Sequence, residues 1–227
     1  MTVLSLSMAT INDEAGAAER RRRSDGERTH AAILEAATRL ASVEGLEGVT
    51  LGRLAAELGV SKSGLYAHFG SKEQLQLETI DAALEIFGRE VVAPAHEAPE
   101  GLLRLEALLS AYFSYLERWV FPGGCFFSSL LPEMDARAGT VHEKVVATER
   151  AWLREFTGYA EAAQRSGEIR ADVDVNVLVF ELYACMELAN YHFVLFRDPV
   201  VLERGRSAVT GILERARSSK RSGGRSR

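Results

Sequence analysis

The 227-residue sequence predicts an all-α fold: a three-helix unit near the N-terminus, then a larger helical bundle. Three observations lead there. Ala, Leu, Glu and Arg dominate, and only five prolines are present. Apolar residues recur at steps of three and four, while alternating strand-like runs are few. The hydrophobic fraction, 47%, is ordinary for a globular chain and supplies a sizeable core.

Residues 1–27 read as a disordered arm carrying the run Arg20–Arg23, and residues 218–227 as a disordered basic tail. About nine helices are expected between them. Residues 28–74 make the first unit. Its first helix runs from about Thr29 to Glu44, turns Ile33, Ala37, Leu40 and Ala41 inward, and stops at Gly45. Thr50 caps the second, which carries Leu51, Leu54, Ala55 and Leu58 inward and ends at Gly59. Ser61 caps a short third helix ending near Phe69. Ser71-Lys72-Glu73-Gln74 is a capping box that opens the fourth. That helix lines up Leu77, Ile80, Leu84, Phe87 and Val91, with Pro94 just beyond its end.

Residues 75–217 make the second unit. Helix five covers about Glu100 to Val120 and is broken by Pro122-Gly123-Gly124. Helix six is short, about Cys125 to Leu131, and helix seven runs from about Ala138 to Ser166. Helix eight covers about Val173 to Phe196, and Asp198-Pro199 starts helix nine.

The net charge of −5 is unevenly spread. Residues 19–74 hold nine Lys/Arg and eight Asp/Glu, a net of +1; residues 75–214 hold twelve and twenty-two, a net of −10. The last thirteen residues hold six basic groups and no acids. An acidic whole with basic ends is compatible with one DNA-facing end. Met1–Thr10 has no basic n-region, so no secretory signal is expected. The longest apolar stretch, Val175–Phe196, carries Glu181, Glu187, Asn190 and His192, which are costly in lipid, so it reads as a buried protein helix. Cys125 and Cys185 match no metal or redox spacing, which favours a reduced, cytoplasmic setting, and the chain is expected to be nucleoid-associated. His142-Glu143 begins like a zinc-protease motif, but Val146 stands where its second histidine belongs. No catalytic constellation emerges, so neither an enzyme nor a cofactor is expected.

The most informative stretch is Thr50–Lys72, in which two short helices meet at Gly59-Val60-Ser61. This is the layout of a helix-turn-helix. Leu54, Leu58, Val60, Leu65 and Phe69 are expected to pack beneath it. Lys62, Ser63, Tyr66 and His68 then face outward. The first turn of the third helix, Ser61, Lys62, Ser63 and Gly64, is placed to reach base edges in a major groove. Lys62 suits a guanine or a phosphate. Tyr66 offers its hydroxyl to a phosphate, and Lys72 opens a helix where anions are attracted. Thr50 and Arg53 are candidate backbone contacts. His68 suits either a base reader or a packing group near Gly70. The arm and the tail suit nonspecific phosphate contact or plain solvation.

On these residues the chain resembles the TetR family of bacterial regulators. The elements that carry the resemblance are Val49-Thr50, Leu54-Ala55, Gly59-Val60-Ser61, Leu65-Tyr66, His68-Phe69 and Lys72-Glu73. Gly52 departs from the pattern, which usually has a better helix former there. The resemblance implies phosphate contacts from Tyr66 and Lys72, groove contacts from the third helix, and an unknown effector bound among helices four to eight. By that resemblance Tyr112, Trp119, Phe127, Trp152, Tyr183 and His192 are expected at the effector site, although each fits a bundle core equally well. Helix eight is apolar nearly all round, so it needs cover on two sides. One side suits a second copy, through a four-helix seam with helix nine and its Val201, Gly205, Ala208, Val209, Ile212 and Leu213. The expected function is a dimeric repressor of a palindromic operator, released by a small, largely apolar ligand. An activator or thiol redox sensor on the same fold stays open, as does a helical small-molecule-binding protein without DNA role.

Overall fold

The computed structural model describes residues 26–218. The basic run Arg20–Arg23 and the tail beyond residue 218 lie outside the described residues. The fold is all-α as expected, and among the described residues the one strand-like pairing is an isolated bridge between Ile169 and Arg217.

Helix α1 covers residues 26–44, three residues earlier than expected, and buries Ile33, Ala37, Leu40 and Ala41. Gly45, at φ 78°, stops it. The Thr50 hydroxyl accepts from the Arg53 N–H at 3.1 Å and starts α2, Leu51–Leu58. Leu51, Leu54 and Ala55 are buried and Leu58 half-buried. Gly59, at φ 65°, reverses the chain and carries Val60 to the outside of the turn. Val60 is therefore 47% exposed, against its expected place in the core. Ser61 caps α3, Lys62–Phe69, through the Gly64 N–H.

Ser71 caps α4, Lys72–Phe87, by accepting from the Gln74 N–H at 3.0 Å. Only half of the capping box forms, because the Gln74 amide turns to Glu78 at 2.7 Å. The buried seam of α4 is Leu75, Gln76, Thr79, Ile80, Ala83 and Phe87, while Leu77 and Leu84 are half-buried. The helix does not end before Pro94. A π-helical turn, Gly88–Val92, follows, and α5, Ala93–Glu97, contains the proline. The Ala93 N–H reaches back to the Gly88 carbonyl, five residues away. This widened turn lets the chain absorb a residue that has no N–H to give. With α4 and α5 taken as one rod, nine helices are present among the described residues, as expected.

The bundle continues with α6, Leu102–Glu117, α7, Phe126–Met134, and α8, Thr140–Arg165. Helix α7 runs past Leu131 and includes Pro132. Asp174 caps α9, Val175–Phe196, through the N–H groups of Asn176 and Val177. Asp198 accepts from the Val200 N–H at 3.0 Å as α10, Val200–Ala216, begins. One face of α9, with Leu178, Leu182, Met186 and Phe193, is buried. The other leaves Val177, Phe180, Leu188, Tyr191 and Leu195 exposed.

Close approach joins the first three helices to the bundle. The Gly123 N–H donates to the Ser42 hydroxyl, and a Cβ on Gly123 would stand 1.7 Å from the Ser42 carbonyl oxygen. Gly52 is the opposite case, with open space where its Cβ would be. We expect Gly123→Ala to cost about 1–3 kcal/mol through backbone displacement, and Gly52→Ala to gain about 0.4–1 kcal/mol. Denaturant melts of the two variants check both signs.

Candidate nucleic-acid interface and ligand cavity

Helix α3 stands out from the small unit on two anchors. Leu65 and Phe69 are buried, and Lys62, Ser63, Gly64, Tyr66 and His68 are exposed. Tyr66 is 57% exposed, unusual for a ring of that size. Lys62 has no carboxylate partner among the described residues. Ser61 keeps its hydroxyl on the cap, with the Ser63 hydroxyl 3.3 Å away. The His68 ring lies 5.9 Å from that of His30, which stacks on Phe69 and bonds Glu78 at 2.7 Å.

The other expected contacts are engaged within the chain. Lys72 donates to the Glu47 carboxylate at 2.7 Å and to the Glu47 carbonyl at 3.1 Å. It thereby holds the Glu47 carboxyl below the usual range. Arg53 pairs with Glu44 at 2.8 Å, and the Thr50 hydroxyl is used in the cap. Such exposed pairs are weak, so exchange for a phosphate oxygen costs little.

Within the bundle lies a cavity of about 450 Å³, a size that suits a small organic ligand. Four of the six expected ligand residues line it: Tyr112, Phe127, Trp152 and Tyr183. Phe87, near the end of α4, is the hub, with edge contacts to Trp152 at 5.1 Å, Phe127 at 5.7 Å and Tyr115 at 5.8 Å. Trp119 and His192 are elsewhere. Trp119, at φ 49° beyond α6, stacks on Phe193 at 4.4 Å and carries the Arg197 guanidinium over its ring. His192 turns toward α10, into a groove with Cys185, Val201 and Arg204, and tilts against Phe196. Helical spacing alone does not tell which aromatic faces a void and which faces a neighbour.

Three acids that belong to no motif give the cavity its polarity. Glu149 and Glu155 of α8 and Glu187 of α9 line it, with Glu155 accepting from the Tyr159 hydroxyl at 2.7 Å. One Glu187 oxygen accepts from the Ser128 hydroxyl at 2.8 Å; the other is buried with no hydrogen-bond partner. The Tyr112 hydroxyl is likewise buried and unpartnered. Burial pushes the Glu187 carboxyl up to about 7, with the neighbouring Glu149 charge acting in the same direction, and burial also raises Glu149. The signal was present in the sequence, as an acid inside an apolar helix. Cys125 also lines the cavity, and burial pushes its thiol up to about 11, which opposes thiolate chemistry.

A carboxyl whose pKa is raised by folding binds more protons folded than unfolded between the two values. Stability therefore falls as pH rises through that window. We expect the chain to lose stability between the ordinary carboxyl value of 4.5 and about 7 from this group. Glu187→Gln should flatten that slope in melts taken along a pH series.

A model described as "Bacterial regulatory proteins, tetR family" matches residues 33–79, and one described as "Tetracyclin repressor-like, C-terminal domain" matches residues 101–209. The regulator LmrA of Bacillus subtilis is 39% identical over 90 residues, which cover 37% of this chain and 47% of that protein. The match thus spans about half of that relative's length. A TetR regulator from Chloroflexus aurantiacus is 28% identical, with a TM-score of 0.76, covering 86% of this chain and 100% of that one. AibR, solved with isovaleryl coenzyme A and operator DNA, is 23% identical at a TM-score of 0.63, over 81% of this chain and 96% of that one. The two family models together take in the helix-turn-helix and most of the bundle, and the chain belongs to the TetR family of bacterial transcription regulators.

Proposed function

We propose that the protein is a dimeric repressor that holds a near-palindromic operator and lets go when a small, largely apolar ligand fills the bundle cavity. The observation that carries this is the reach of α4. It opens at Lys72, beside the exposed face of α3, and its far end gives Leu84, Phe87 and, just beyond it, Gly88 to the cavity wall. One rigid element therefore touches both sites. A ligand that fits one tilt of α4 better than another shifts the population of that tilt, and with it the spacing of two recognition helices. AibR supports the pairing of the two ligands on such a fold, since it was solved with an acyl-coenzyme A and its operator together.

In this reading Lys62, Ser63 and Gly64 meet base edges, and Tyr66 and Lys72 meet phosphates. Lys72 exchanges the Glu47 carboxylate for a phosphate oxygen as it docks, and Arg53 does the same from Glu44. His68 remains a candidate on the same face. Salt-dependent binding to DNA from upstream of the chain's own coding sequence tests the function. Tyr66→Phe and Lys72→Ala should each weaken that binding by about 1 kcal/mol, on related and unrelated sequences alike. Lys72→Ala should also lower the salt slope by about 1. Unchanged affinity in both variants removes the phosphate assignments.

The dimer reading rests on the uncovered face of α9, where Phe180 is 73% and Leu195 71% exposed. Side chains of that size left in water along one helix favour association with a like surface. The share expected of α10 is smaller than its sequence implies. Val201, Gly205, Val209, Ile212 and Leu213 are buried within the protomer, and Ala208 alone of that set is exposed. Gly205 packs against the Phe113 ring and Ala189, so its small size serves internal packing. Sedimentation at micromolar concentration should return a dimer, and Phe180→Glu with Leu195→Glu should shift it to monomer. A monomeric parent chain refutes the twofold arrangement.

A further inference from the structure

We propose that the cavity takes an organic cation, an ammonium or quaternary ammonium group held between the Glu187 and Glu149 carboxylates, with its apolar groups on the rings of Phe87, Phe127 and Trp152. The inference rests on the reading of the cavity as the effector site and adds the chemistry of the occupant. Three observations converge. The wall is mostly carbon, yet a Glu187 oxygen is buried in it without a hydrogen-bond partner. A second carboxylate, Glu149, lines the same space. The aromatic faces around Phe87 supply the negative quadrupoles that attract a weakly hydrated cation.

No side chain supplies the balancing charge. Among the described residues the one cation lining the cavity is Lys144 of α8, and its ammonium is paired with Asp81 of α4. Besides Glu149, Glu187 is faced by Ser128 on α7, by Tyr112 on α6 and, on its own helix, by Tyr183 and by Tyr191, whose hydroxyl donates to the Ser128 carbonyl at 3.1 Å; the Cys125 thiol is nearby. All are neutral. A buried carboxylate without a counter-charge is costly, and an incoming ammonium removes that cost. At neutral pH the empty site holds Glu187 partly protonated, so the arriving cation expels that proton to solvent. An anionic ligand would meet the carboxyl groups of Glu149, Glu155 and Glu187. A neutral ligand would leave the carboxylates unanswered.

Equilibrium dialysis of benzyltrimethylammonium and its uncharged carbon isostere neopentylbenzene against the full chain tests this. The pair differ in charge and hardly in shape. At pH 8 the cation should bind at least about tenfold tighter than the isostere. Its affinity should rise from pH 6 to pH 8, while that of the isostere stays level. Glu187→Gln, which keeps the shape and resembles the protonated side chain, should remove most of the cation's advantage. Glu149→Gln should remove part of it, and neither variant should change isostere binding by more than about twofold. Equal binding of the two probes, or cation binding indifferent to both variants, overturns the cation and leaves the cavity a ligand site. Binding of neither probe overturns the cavity reading itself.

Discussion

The N–H groups of Leu46 and Glu47, in the turn after α1, end on the two carboxylate oxygens of Glu133, each at 2.7 Å. Hydrogen bonds to an ionised acceptor are about twice as strong as neutral ones, and these two hold a turn of the small unit against α7 of the bundle. Gly45 suits the same point, since its φ of 78° favours glycine and a Cβ there would press on the Glu133 carboxylate. Gly123 lies against the Ser42 backbone nearby, and the Gln76 amide donates to the Leu46 carbonyl at 3.0 Å. The turn is thus gripped by α4, by α7 and by the loop before α7. The placement of α2 and α3 relative to the bundle depends on that grip.

The grip gives the proposed switch a second lever beside α4. Helix α7 begins at the cavity, where Phe127 lines the wall and Ser128 holds Glu187. It carries Glu133 near its other end, about 8 Å along the axis. A ligand that moves Ser128 or Phe127 therefore pulls on the turn that precedes the recognition unit. That turn also carries Glu47, which is bonded to Lys72, Gln76 and Arg137. Displacement of the turn alters how readily Lys72 is free to meet a phosphate. Under the proposed switch, geometry and electrostatics meet at Glu47, and a small shift at the cavity would bear on both the placement of α3 and the freedom of Lys72, at the start of α4, to meet a phosphate.

What was legible in the sequence, and what was not, divides by the range of the interaction. Thr50, Gly59, Ser61, Gly70 and Ser71 set caps and turns through bonds to residues a few positions away, and the helix-turn-helix is built from them. Leu65 and Phe69 anchor α3 as their spacing implies. The bundle is set by contacts between distant positions. Trp119 and Tyr112 lie on or just past the same helix, yet one closes onto Phe193 and the other faces the cavity. The sequence pattern of α10 fits a dimer seam as well as internal packing, and only the Phe113 ring against Gly205 decides between them. Pro94 lies just beyond the helix end that the sequence pattern predicts, and the π-helical turn before it carries the chain on into a further helix. Glu187 was visible as an acid in an apolar helix, but its use depends on Ser128 and Glu149, neither of them near it in sequence.

The charge distribution bears on both proposed ligands at once. The segment from 75 to 214 has ten more acids than bases. Such a field repels DNA from the flanks of the bundle and leaves α3, with Lys62 exposed at its start, as the approachable end. The same field raises the local concentration of organic cations around the cavity and depletes organic anions. A neutral ligand would gain nothing from it. An acidic bundle is thus a poor companion for nucleic acid except in one orientation, and a good collector for the ligand class that two buried carboxylates and an aromatic wall would hold. The net charge of the chain, which alone argues against a DNA-binding protein, fits the proposed division between a face that meets phosphate and an interior that meets a cation.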